Sequence, residues 1–70
     1  MKIGEFEELD EAQKASVLKF GDYLDGRFES GNHIQFYNLG EFIVELHYSP
    51  TLNGIVNFRT FENEWINLEQ

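Results

Sequence analysis

Glu41-Phe-Ile-Val-Glu-Leu-His-Tyr-Ser-Pro-Thr-Leu-Asn-Gly-Ile-Val-Asn-Phe-Arg-Thr-Phe61 decides the fold. Two segments of alternating apolar and polar residues, rich in β-branched and aromatic side chains, flank a turn holding Pro50, Asn53 and Gly54. Period-two alternation bounded by turn residues predicts a β-hairpin. Its register depends on the turn. A tight Asn53-Gly54 turn would oppose even positions of the first segment to odd positions of the second, setting Arg59 on the face of Leu46 and Tyr48. A longer loop through Ser49-Pro50-Thr51-Leu52-Asn53 aligns Val56 and Phe58 with Val44 and Leu46. It also keeps Arg59 out of the core, where an unpaired guanidinium is costly. The longer loop is therefore expected, with Phe42, Val44, Leu46 and Tyr48 pointing inward.

Upstream of the hairpin the same period continues. Leu24 and Phe28 alternate with Tyr23, Asp25, Arg27 and Glu29, and Ser30-Gly31-Asn32 forms a turn cluster. Ile34, Phe36 and Asn38 then alternate with His33, Gln35 and Tyr37 up to Leu39-Gly40. Before the strands, Asp10-Glu11-Ala12-Gln13 has the form of a capping box, so a helix is expected to start there. Leu9, Gln13, Ser16, Val17 and Phe20 share its inward side, with Glu11, Ala15, Leu18 and Lys19 opposite. Gly21 stands where a left-handed C-cap would close it near Phe20. Acidic residues at the helix start and Lys14 and Lys19 later suit the helix dipole. Leu9, just ahead of the cap, is expected to close over the first turn. Downstream, Phe61, Trp65 and Leu68 are spaced for a short closing helix.

The expected architecture is α+β. One N-terminal helix packs on a four-stranded antiparallel meander, with a short C-terminal helix allowed at the end, in a single domain spanning residues 1–70. A chain of 70 residues builds one small core, and such cores supply roughly 3–5 kcal/mol of net stability. Seven Phe compensate in part, since each buries about 150–250 Å². With no cysteine there is neither a disulfide nor a thiolate nucleophile. The N-terminus lacks the apolar stretch of a signal peptide, and nothing approaches the roughly 20 apolar residues of a membrane span. A cytoplasmic protein is the expectation. The net charge of −8 repels phosphates and anionic lipid, which argues against nucleic-acid and membrane partners.

The capped helix with Gln13 in its first turn, Gly21-Asp22-Tyr23-Leu24 before the first strand, and the aromatic run Phe36-Tyr37-Asn38-Leu39-Gly40-Glu41-Phe42-Ile43-Val44-Glu45-Leu46-His47-Tyr48 resemble a group of short, uncharacterised bacterial proteins. The likeness spans most of residues 6–61. It implies the helix-plus-meander fold and carries no activity.

No catalytic or cofactor motif stands out. Glu41, Glu45 and His47 share one side of a strand about 6.5–7 Å apart, but one strand with one imidazole is a poor zinc site. Ordinary solvated side chains, with Glu45 paired to Arg59, explain them better. Neither His33 nor His47 has a serine in a nucleophile elbow. Glycines occur singly, at turns, and form no phosphate loop. No enzyme activity, cofactor or metal is expected. The acidic run Glu5, Glu7, Glu8, Asp10 and Glu11 could mimic phosphates, although a solvated helix start accounts for it.

The second face of the sheet is the feature with functional character. It is expected to carry Tyr23, Arg27, Tyr37, Ile43, Glu45, His47, Ile55, Arg59 and Phe61, together with His33 and Gln35. This mixture of aromatic anchors, aliphatics and charges resembles an interface more than a solvated surface. The expected function is accordingly a non-catalytic protein-interaction module acting through that face or a free sheet edge, with a second copy of itself among the partners. The alternative is an acidic inhibitor (an immunity protein, an antitoxin or a DNA mimic) that blocks a basic enzyme such as a nuclease.

Overall fold

The computed structural model describes residues 1–63. Two short helices, α1 (Ile3–Glu7) and α2 (Glu11–Leu18), precede four strands: β1 (Asp22–Glu29), β2 (Asn32–Asn38), β3 (Phe42–Ser49) and β4 (Gly54–Glu62). The strands form one antiparallel meander in the order β1-β2-β3-β4. The fold is α+β. The closing helix expected around Trp65 and Leu68 lies outside the described residues.

Helix α2 starts at the expected capping box. The Gln13 amide donates to Asp10 Oδ1 at 2.8 Å, and the Asp10 amide donates to Gln13 Oε1 at 3.0 Å. Helix α1 was not expected from the sequence. It begins where the Lys2 amide donates to Glu5 Oε1 at 2.7 Å, and it buries Phe6 completely. The Phe6 ring meets Phe42 at 5.7 Å and Phe58 at 6.1 Å between centroids, both tilted, as the ring quadrupoles prefer. Phe6, Leu18, Phe42, Val44 and Leu46 form the core cluster, with Ile3, Leu9, Val17, Tyr37, Leu39, Ile55 and Phe58 packed against it. The Thr60 hydroxyl donates to Glu7 Oε2 at 3.3 Å, a second tie from α1 to β4.

Three expectations about α2 change. Leu18, placed on the outer side of the wheel, is buried, whereas Phe20, placed inward, is 90% exposed. The helix stops at Leu18, so the last turn does not carry Phe20 inward. Gly21 is not a left-handed cap, since positive φ among the glycines falls on Gly31 and Gly40. Its role is close approach: a Cβ there would collide with the Leu39 side chain and come within 3.0 Å of the Asn38 carbonyl oxygen.

The β3–β4 hairpin uses the longer loop. Its strands close at Ser49↔Gly54, and the Ser49 hydroxyl accepts from the Leu52 amide at 3.1 Å. Leu46 faces Phe58 and Val44 faces Thr60, even opposite even. A bulge interrupts this between His47 and Tyr48, because Tyr48 faces Ile55 and Val56 is the extra residue. Ile55 therefore packs on the core, and Val56, expected inward, is exposed.

Parity also inverts between β2 and β3. The turn Leu39–Phe42 closes with the Leu39 amide donating to the Phe42 carbonyl at 2.9 Å, Gly40 at φ +98°, and Asn38 Oδ1 accepting from the Gly40 amide at 2.8 Å. Tyr37 consequently faces Val44, and Gln35 faces Leu46. Odd positions of β2 thus share the helix face with even positions of β3, while Ile34, Phe36 and Asn38 lie on the outer face. A one-residue change of register transfers every side chain of a strand, which is why this one turn corrects the assignment for the whole of β2.

Candidate interaction surface

The outer face is organised around Glu45 at the centre of β3. Its cross-strand neighbours are Phe36 on β2 and Arg59 on β4. The sequence pairs Glu45 with Arg59, and the register does place them opposite. The carboxylate, however, turns along its own strand: Glu45 Oε1 lies 2.6 Å from His47 Nε2 in a nearly buried contact. Arg59 instead lays its guanidinium over Phe61, 5.2 Å from the ring centroid. Arg27 does the same over Phe36 at 5.1 Å, while its Nε holds Glu29 at 2.9 Å. Two guanidinium–phenyl stacks thus flank one carboxylate–imidazole contact, and Ile43 sits between Asn38 and Phe61.

Of the expected surface residues, the structure brings Arg27, Ile43, Glu45, His47, Arg59 and Phe61 onto this face. It corrects Tyr23, Tyr37 and Ile55, which lie on the helix face. Ile55 is moved there by the β4 bulge. Tyr37 is moved by the Leu39–Phe42 turn, and Tyr23 by a bulge at Leu24 that breaks the alternation of β1 between Tyr23 and Asp25 and sets Tyr23 opposite Tyr37. His33 and Gln35 move with them. Ile34 and Phe36, assigned inward from the sequence, lie on this face, Ile34 buried and Phe36 available to a partner; the only signal for them was the length of the β2–β3 turn.

The displaced residues form their own group at the β1–β2 end of the helix face. Tyr23 and Tyr37 meet edge to face at 5.6 Å, and Phe28 stacks on His33 at 4.8 Å with a 14° interplanar angle. The Tyr37 hydroxyl donates to Gln35 Oε1 at 3.2 Å. Burial, and secondarily the neighbouring Tyr23, raises the Tyr37 phenol above the usual tyrosine value. Gly26 lies beneath, where a Cβ would strike the Tyr23 hydroxyl.

A depression of about 120 Å³ lined by Lys2, Ile3, Glu41, Phe42 and Glu62 is below the range of about 300–1,000 Å³ that ligand sites occupy. Glu41, which the sequence groups with Glu45 and His47, reaches Lys2 at 3.7 Å instead. Among the described residues no three His, Asp or Glu side chains converge on a common metal position. Among them, too, no helix is long and apolar enough to cross a membrane. No protein-family model, curated protein or solved structure matches the chain.

Proposed function

We propose that this chain is a non-catalytic protein-interaction module that engages a protein partner through the outer face of its sheet. One observation carries this reading: Arg27 on Phe36 and Arg59 on Phe61, on either side of the Glu45–His47 contact and beside Ile43. Arginine and aromatic side chains supply a disproportionate share of binding energy at protein interfaces. An arginine already laid on a ring has less side-chain freedom to lose when a partner arrives. The charge of −8 favours a partner with a basic contact surface, and the absence of cysteine fits the reducing cytoplasm in which we place it.

The test compares the wild type with Ile43→Glu and Arg59→Glu in affinity capture from the native cell, each variant first checked by circular dichroism. A partner held by the wild type and lost by both variants supports the reading. Identical capture profiles from folded variants refute it. A second reading, the acidic inhibitor, is favoured by the exposed carboxylates of Glu5, Glu7, Glu8, Asp10 and Glu11 along the two helices. It requires binding that weakens steeply with salt and slows when Glu7, Glu8 and Glu11 are reversed to Lys. Affinity indifferent to both perturbations removes it.

A further inference from the structure

Strand β1 has a partner on one side only among the described residues. Which of its backbone groups face the open side follows from the ladder. Hydrogen-bonded and non-bonded pairs alternate along antiparallel strands. The Leu39 amide bonds to the Phe42 carbonyl, so Tyr37, Gln35 and His33 direct their backbone groups to β3. Ile34 and Phe36 must then direct theirs to β1, pairing with Arg27 and Asp25. The amide and carbonyl groups of Gly26 and Phe28 are left pointing away from the sheet.

The side chains along this edge are self-complementary. A two-fold axis through Gly26 would set two β1 strands antiparallel, with Gly26 opposite itself and Asp25 opposite Arg27 of the second copy, the regular stretch ending at the bulge residue Leu24. Asp25 and Arg27 share the outer face, facing Phe36 and Ile34 on β2, so the opposed charges lie on one side of the joined sheet. Asp25 makes no ion pair among the described residues, whereas Arg27 is already oriented by Phe36 and Glu29. Leu24 and Phe28 are 50% and 70% exposed, an unusual pair of apolar groups to leave on an open edge. Axes through Asp25 or Arg27 would instead put like charges face to face.

We infer that the chain pairs with a second copy of itself along β1, with the two-fold axis at Gly26, joining two four-stranded sheets into one. This contact shares Arg27 with the outer-face surface but uses none of Ile43, Glu45, His47, Arg59 or Phe61, so loss through Ile43→Glu and loss through Asp25→Arg distinguish the two. An edge contact of this kind is small, so the dimer is reversible and concentration-dependent. Each copy carries −8, and salt near 0.15 M confines that mutual repulsion to about 8 Å.

Sedimentation velocity over a concentration series at that salt tests the inference, using Asp25→Arg and Arg27→Asp, both at exposed positions. Wild type should show an apparent mass that doubles with concentration. Each single variant opposes like charges at two symmetric places and should weaken association by about tenfold or more. Mixing the two variants makes both pairs opposite in sign, so a heterodimer should form from two chains that are each monomeric. The double variant D25R/R27D should dimerise by itself. A monomeric wild type throughout the series overturns the inference. So does a dimer indifferent to both single variants, or two monomeric variants that do not associate on mixing. A dimer broken by Ile43→Glu but not by Asp25→Arg would assign self-association to the outer face and overturn the β1 pairing alone.

Discussion

Replacing Phe6 by Ala should abolish cooperative folding at 25 °C. The ring is fully buried, touches Phe42 and Phe58 at 5.7 and 6.1 Å, and has the Lys14 ammonium 5.7 Å from its centroid. Truncating a buried Phe to Ala costs about 3–5 kcal/mol, of which each tilted ring pair supplies roughly 0.5–1.5 kcal/mol beyond burial. A core of this size supplies roughly 3–5 kcal/mol in total, so the loss matches the whole. Phe6→Leu keeps most of the volume and should cost about 1–2 kcal/mol. Phe28→Ala is the control, because that ring is mostly exposed and its loss should stay near 0.5 kcal/mol. Urea titrations followed by far-ultraviolet circular dichroism, at concentrations where the chain is monomeric, read all three. With a slope of about 1 kcal/mol per molar urea, Phe6→Leu should lower the midpoint by roughly 1–2 M and Phe28→Ala by about 0.5 M or less. If Phe6→Ala unfolds within about 1 M of the wild type, the first helix does not clamp the sheet and the account of the core is wrong.

Asp10→Ala removes the side-chain acceptor for the Gln13 amide and should cost about 1 kcal/mol in the same titration, with Asp10→Asn close to neutral. Gly21→Ala should cost about 1–3 kcal/mol because the new methyl meets Leu39 and the Asn38 carbonyl; Gly26→Ala should cost less, since it meets the end of a mobile Tyr23 side chain. Tyr37 supplies a pH dependence. A phenol held above its unfolded value near 10 contributes fully below about pH 10 and loses that contribution as pH rises through the folded value. Alkaline loss of stability should therefore be steeper in the wild type than in Tyr37→Phe, read as urea midpoints at about pH 8 and about pH 11.

The parts of this fold that were legible in the sequence are those governed by local chemistry. Asp10 and Gln13 cap a helix because they are three residues apart, and no tertiary contact is needed to see it. The β3–β4 parity was legible because Arg59 made one register costly. Other features depended on geometry with no local marker. Phe6 sits among Glu5, Glu7 and Glu8, and its burial is decided by rings at Phe42 and Phe58 far along the chain. The faces of β2 depended on the turn at Leu39–Phe42, where no charged residue penalised the wrong choice, and the face of Tyr23 on a bulge at Leu24. Both Ile34 and Tyr37 are acceptable on either side of a sheet, so composition alone did not separate them. The candidate surface was accordingly legible along β3 and the distal half of β4, where register was constrained, and misassigned at Tyr23, Tyr37 and Ile55, where a turn or a bulge intervened.

Val56 is the one residue of β4 without an opposite number on β3. Deleting it would let Ile55 follow Asn57 in strict alternation, inward and outward, so every remaining side chain would keep its address. Removing any residue from Asn57 to Thr60 would reverse the orientation of the strand beyond the cut. Chain length can thus change by one at this place without rewriting either face, and a shortened homologue would still present Arg59 and Phe61 where this chain does.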